Sequence, residues 1–187
     1  MINQQIIGMQ KRIGVEPDGF WGPISIAACK AHLRALMPII NPWPKTDQVS
    51  LSRFYSAAGD ESQLVALNVE GLGIQYDGKQ VQSVKCHDKV SGSLYRILSA
   101  ISKGPHRSIL SLYAGVYCNR PMRGGSLPSL HARGAAIDLA PETNGVYMVW
   151  PTASSMPLEI MEEFSREGWI AAGAFWGRDG MHFQATK

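Results

Sequence analysis

Residues 129–140 read SLHARGAAIDLA, and the fold turns on how the last six of them are taken. Read as a strand, AAIDLA sends Ile137 and Leu139 to a core and turns Asp138, beside Ala136, to the opposite face, because successive side chains alternate. The stretch GMHFQ at 180–184 behaves alike: Met181 and Phe183 face inward, and His182 points outward with Gly180 and Gln184. Two short strands would then offer a carboxylate and an imidazole to one cleft. His131, seven positions before Asp138, is separated from it by small residues that let backbone approach closely.

Working outward, LVALNV (64–69) and IQYDGKQVQSV (74–84) read as strands, the second a hairpin turning at Asp77-Gly78. Val90, Leu94, Ile97, Leu98 and Ile101 mark an amphipathic helix ended by Gly104. A strand is expected at SILSLYAGVY (108–117), a Gly-rich loop over 120–129, and a helix over 157–167 that backs the cleft. That helix turns Leu158, Met161 and Phe164 inward and sets Glu162 and Glu163 on a charged outer face. The end, from Trp169 to Ala185, reads as two short strands about a glycine turn. Strands and helices mixed without regular alternation give an α+β class, a small antiparallel sheet with helices packed behind it.

The first forty residues differ. Ile6, Met9 and Ile13 share a helical face closed by Gly14. After the loop VEPDGFWG, Pro23 opens a second helix that Pro38 stops. This is a small all-α module, residues 1–40. The Pro-rich and polar stretch that follows lacks periodicity, so 41–63 is expected to be a linker and 64–187 the main domain.

The totals narrow the function. The chain has 187 residues, 45% hydrophobic and 18% charged, with a net charge of +3 and no dense Lys/Arg run. A nucleic-acid arm is therefore not expected, and no stretch is long and apolar enough to insert in a membrane. MINQQIIGMQKR has no apolar core of a signal peptide. Cys29, Cys86 and Cys118 are odd in number and far apart, which fits a reducing compartment better than a disulfide framework.

Two imidazoles and a carboxylate suit one zinc ion, because three protein ligands leave a fourth position open for water or a carbonyl. His131, Asp138 and His182 are the candidate ligands, and Asp179, three before His182, is the candidate general base. Arg120 and Arg123 flank the glycine loop, where either could stabilise an oxyanion or anchor a substrate carboxylate; Arg120 is preferred as the catalytic one. Ser129, Arg123 and Trp176 complete the set as candidate substrate contacts. His32, His87 and His106 read as structural or surface histidines, and Trp150, Trp169 and Trp176 as more often core than sugar-stacking platforms.

The segments YCNRPMRGGSLPSLHARGAAIDLA (117–140) and EGWIAAGAFWGRDGMHFQ (167–184) resemble the family of zinc D-alanyl-D-alanine carboxypeptidases and L-alanyl-D-glutamate peptidases. Ser129, His131, Gly134, Ala136 and Asp138 fit its SxHxxGxAxD motif, and Asp179 and His182 its second motif; the likeness spans roughly 64–187. It implies zinc ligation by His131, Asp138 and His182, with Asp179 as base. That position is Glu in the carboxypeptidase branch, and the shorter Asp is similar to the endolysin endopeptidases. The family's substrate arginine lies in a GYR-like context; here the text is GVYCNRPMRGG (115–125), which keeps both Arg120 and Arg123 in play. MQKRIGVEPDGFWGPISIAA (9–28) resembles the peptidoglycan-binding module pattern LQxxLGxxxDGxxGPxT, with Met9 and Ser25 in place of Leu and Thr. Asp18 would then shape the turn and Trp21 offer an apolar face to the wall, although DGFWG also serves as a plain helix connection.

The resulting expectation is a monomeric phage endolysin. It would be made in the host cytoplasm, reach bacterial peptidoglycan after membrane permeabilisation, and cut a stem-peptide amide, L-Ala-D-Glu being the leading candidate. Two alternatives stand beside it. One is a D-alanyl-D-alanine carboxypeptidase using the same site. The other is a wall-binding protein whose metal is structural, which would need a fourth ligand such as Cys118.

Overall fold

The computed structural model describes residues 4–187; residues 1–3, the start of the segment read as the helical module, lie outside it. Helix α1 (Gln4–Arg12) buries Ile6 and Met9 and ends at Gly14, whose φ of 74° is left-handed. Helix α2 (Pro23–Leu36) starts on its proline and buries Cys29 and Leu33. The loop between them hangs on the buried Gln10 side chain, which donates to Asp18 Oδ1 and the Phe20 carbonyl and accepts from Gly19 N–H.

The stretch 41–63, read as a linker, contains helix α3 (Gln48–Tyr55), capped where Asp47 accepts from Ser50 N–H. Trp43, Leu51 and Tyr55 are buried there. Polar and Pro-rich text hid these anchors because their partners are remote: Trp43 Nε1–H donates to the Glu167 carbonyl, and the Tyr55 hydroxyl to the Ala185 carbonyl.

Strand β1 (Leu64–Asn68) then pairs antiparallel with β4 (Ser83–His87), around the small hairpin of β2 (Gln75–Tyr76) and β3 (Lys79–Gln80). Asp77 and Gly78 both have positive φ, as a tight two-residue hairpin turn requires. Helix α4 (Asp88–Lys103) follows and buries the apolar face expected of it.

The main sheet is antiparallel in the order β5 (Tyr113–Gly115), β6 (Ala136–Leu139), β8 (His182–Gln184), β7 (Ile170–Ala171). Short helix α5 (Pro141–Asn144) leaves β6, and α6 (Leu158–Arg166) packs behind the sheet, where Phe164 stacks on Phe183 with ring centroids 3.9 Å apart. The α+β class with a small antiparallel sheet and helices behind it is what the structure has.

Three details depart from the sequence expectation. The strand expected at 108–117 shrinks to β5, because Arg107–Leu112 coils as a 3₁₀ helix in which Ser111 Oγ–H bonds back to the Ser108 carbonyl. The C-terminal pair of strands is interrupted by helix α7 (Ala172–Trp176), whose small residues fit a tight space: a Cβ on Gly173 would lie 2.8 Å from Met161 Cε. Glu162 is not on a solvent face. It is buried under α1 and α2, gripped bidentately by Arg12 at 2.6 Å on each oxygen and met by His32 Nε2 at 2.8 Å.

Candidate metal centre

Register places the first two groups. Asp138 on β6 is directly opposite His182 on β8, and period two puts both on the face away from Phe183 and Ile137. His131 arrives from a short 3₁₀ turn, Leu130–Arg133, that precedes β6. Ser129 starts this turn, its Oγ accepting from His131 N–H, and Gly134 ends it with φ of 64°.

Three ligand-type atoms converge. His131 Nε2 lies 3.2 Å from Asp138 Oδ1 and 3.2 Å from His182 Nδ1, and the last two are 3.0 Å apart. The outer ring nitrogens are already engaged. His131 Nδ1 is 2.8 Å from the Val116 carbonyl, to which it can only donate. His182 Nε2 is 3.1 Å from Gln184 Oε1, and the Gln184 amide in turn donates to Thr186 Oγ1 at 2.7 Å. With the ring protons drawn outward, two imidazole lone pairs and a carboxylate face one point.

Such a set calls for positive charge. Burial alone would raise the Asp138 carboxyl, yet the hydrogen bonds and charges of His131 and His182 outweigh it and hold it far below the ordinary carboxylate range. Burial opposes a charged His182 as well, and Asp138 overrides it, raising that imidazole. A dication bound among the three atoms satisfies the same demand, and the N,N,O donor chemistry fits zinc. Among the described residues these three alone form a His/Cys/Asp/Glu group of ligand geometry. Cys118 stays outside that group and is exposed, touching the turn only through its backbone N–H, which donates to the His131 carbonyl. Among the described residues no fourth protein ligand of these types closes the site.

The group lies in a cleft of about 230 Å³ that Arg120, Arg123, Ser129, Trp176 and Asp179 also line, so every site candidate read from residues 64–187 is in one place. Asp179 sits in a left-handed turn, φ 61°, and its buried Oδ1 has no hydrogen-bond partner in the protein. Burial raises its carboxyl, the Asp138 charge adds to that, and His182 pulls the other way. An unpartnered, proton-seeking carboxylate beside a metal-type donor set suits a group that takes a proton from water. Trp176 is half exposed and stacks over the His182 ring at 5.7 Å. Ser129 is buried and occupied by the turn it starts. Arg120 donates to the Pro121 carbonyl, and Arg123 is on the exposed part of the loop.

The two wall-binding candidates of the first module lie elsewhere. Asp18 is exposed and bonded to Gln10 and to Phe20 N–H. Trp21 packs edge-on against Trp150, centroids 5.3 Å apart, so one side of its ring is taken up by that contact.

Sequence reasoning missed four participants: the Val116 carbonyl, the Gln184 and Thr186 side chains as a relay, and Arg178 on the cleft wall. For Gln184 a signal was present, since it shares the His182 face of the strand. Val116 and Thr186 depend on tertiary geometry alone. No curated protein and no solved structure matches the chain. Residues 123–185 are similar to the family described as D-alanyl-D-alanine carboxypeptidase, and this likeness, which covers the whole His131–Asp138–His182 group, supports a metallopeptidase of that kind.

Proposed function

We propose that the chain is a zinc-dependent peptidoglycan endopeptidase that hydrolyses an amide of the stem peptide, with L-Ala-D-Glu as the bond. The observation that carries this reading is the pairing of a three-atom donor set, both imidazoles oriented by outer hydrogen bonds, with the unpartnered Asp179 carboxylate in the same cleft. Zinc bound by His131, Asp138 and His182 supplies Lewis acidity toward an amide carbonyl and acidifies water. Asp179 accepts the proton of the attacking water and returns it to the leaving amine. Arg120 or Arg123 anchors a substrate carboxylate, Ser129 holds the ligand turn, and Trp176 forms an apolar wall over the scissile region. Asp18 and Trp21 belong to a module that keeps the enzyme on peptidoglycan.

The role is that of a monomeric phage endolysin which meets the wall once the membrane is breached. No helix among the described residues is long and apolar enough to cross a membrane. A second reading, removal of terminal D-Ala through the same site, is favoured by the description of the family that 123–185 match.

Mass spectrometry of soluble products from purified sacculi separates the two. The expected outcome is a zinc-dependent new amino terminus on D-Glu, absent after chelation. Asp179→Ala is expected to keep zinc and lose activity by about 10²–10⁴-fold, the usual range for a general base. Release of D-Ala alone transfers the assignment to the carboxypeptidase. Normal lysis by Asp179→Ala would remove Asp179 from the mechanism.

A further inference from the structure

The cleft holds more cationic charge than the proposed chemistry uses. Three arginines line it: Arg120 and Arg123 from the 120–129 loop and Arg178 from the turn before His182. Of its two lining carboxylates, Asp138 is engaged by both imidazoles, which leaves Asp179 alone against three arginines. None of the three arginines forms an ion pair with another described residue. Elsewhere in the fold arginines are paired: Arg12 with Glu162, and Arg96 with Glu167.

Arg178 is also held in a way a casual surface arginine is not. Its backbone bridges to Val149, the Gly177 carbonyl accepts from Trp150 N–H, and left-handed residues flank it at Gly177 (φ 76°) and Asp179 (φ 61°). That framework fixes the base of the side chain one residue from Asp179, on a separate segment from Arg120 and Arg123. A guanidinium recognises a carboxylate through two parallel N–H donors, so arginines on two separate segments match a ligand with carboxylates at two separate points.

We infer that Arg178 is a specificity-determining residue that binds a second carboxylate of the substrate, and that the cleft selects stem peptides carrying at least two free carboxylates. This rests on the peptidase reading of the same site, which it deepens. A peptide whose side carboxyls are amidated becomes a poor ligand, because each amide leaves a guanidinium without its anion.

The test is calorimetric titration of the zinc-loaded full chain with L-alanyl-γ-D-glutamyl-L-lysine, its Ala–Glu amide N-methylated to prevent turnover. The peptide is used with both carboxylates free, with each one amidated, and with both amidated. For the wild type each amidation is expected to weaken binding about tenfold, the lower end for a charge-assisted hydrogen-bonded pair. Arg178→Gln is expected to respond to one amidation and ignore the other, and Arg178→Lys, which keeps the charge without the fork, to fall between. An Arg178→Gln protein that still loses affinity at both amidations, or a wild type indifferent to both, overturns the inference. Sacculus digestion is scored separately. Cleavage without amidation-sensitive binding removes Arg178 from specificity and leaves the peptidase reading intact. Amidation-sensitive binding without cleavage does the reverse.

Discussion

His182 presents Nδ1 to the donor set only while its other nitrogen is occupied, and that task falls to Gln184, two residues along the same strand face. Thr186 fixes which end of the Gln184 amide points at the ring. Removing such an outer partner commonly weakens metal affinity 10–100-fold. Gln184→Leu is therefore expected to raise the zinc Kd within that range, read by competition with a chromogenic chelator, while the secondary structure is unchanged by circular dichroism. Unaltered zinc affinity would mean that the ring orientation is set by packing alone. At this scale the donor set was legible, because alternation along β6 and β8 dictates that Asp138 and His182 share a face. The relay was not, since it depends on side-chain rotamers and on Thr186, beyond the strand. Arg178 was also passed over, as nothing in GRDG distinguishes a cleft arginine from a turn arginine.

The turn that delivers His131 works as an element because Gly134 can do what other residues cannot. Its φ of 64° is left-handed, its carbonyl accepts from His87 N–H, and an added Cβ would meet His87 N at 2.8 Å and Leu64 Cδ2 at 2.9 Å. Backbone, not a flexible side-chain tip, is in the way, so the turn itself has to shift. Gly134→Ala is expected to cost about 1–3 kcal/mol, seen as a lower urea midpoint, and to weaken zinc binding as His131 moves. An unchanged midpoint together with unchanged zinc affinity would show that the turn tolerates the methyl group. Elements with strong periodicity were readable in advance: α4 through Val90, Leu94, Ile97 and Ile101, and the β2–β3 hairpin through Asp77-Gly78. Those lost were short or locally ambiguous. Ser108 and Ser111 divert one apolar run into a 3₁₀ helix, and Ala172–Trp176 coils where small residues gave no period to read.

At the scale of the molecule, one continuous apolar core runs from Ile6 and Met9 to Phe183 and Ala185, and the buried Glu162 is its main ionic tie between the first two helices and α6. Glu162 looked solvent-facing in sequence because it stands four before Arg166; only the covering helices, remote in the chain, make it an interior residue. Burial would raise its carboxyl, but the hydrogen bonds from Arg12 and His32 prevail and lower it from the ordinary value of 4.5. A carboxyl depressed in the folded state contributes stability that is full above its unfolded value and is lost as pH falls through the folded one. Glu162→Gln is accordingly expected to be less stable than wild type at pH 7 by about 2 kcal/mol, below the full cost of breaking a buried pair because Arg12 is partly exposed. The gap should narrow below about pH 4.5 as the wild-type carboxyl takes up its proton. Urea midpoints across that range check it, and a gap that stays constant with pH would exclude the ionic origin.

Exchanging residues 1–40 for another segment would carry a charge consequence: it takes away Arg12 and His32 together and leaves the Glu162 carboxylate behind. It also strips the indole that Trp150 leans on. A transplant would therefore need a matching change at Glu162, to glutamine or an apolar residue, before the new partner's own properties could be judged.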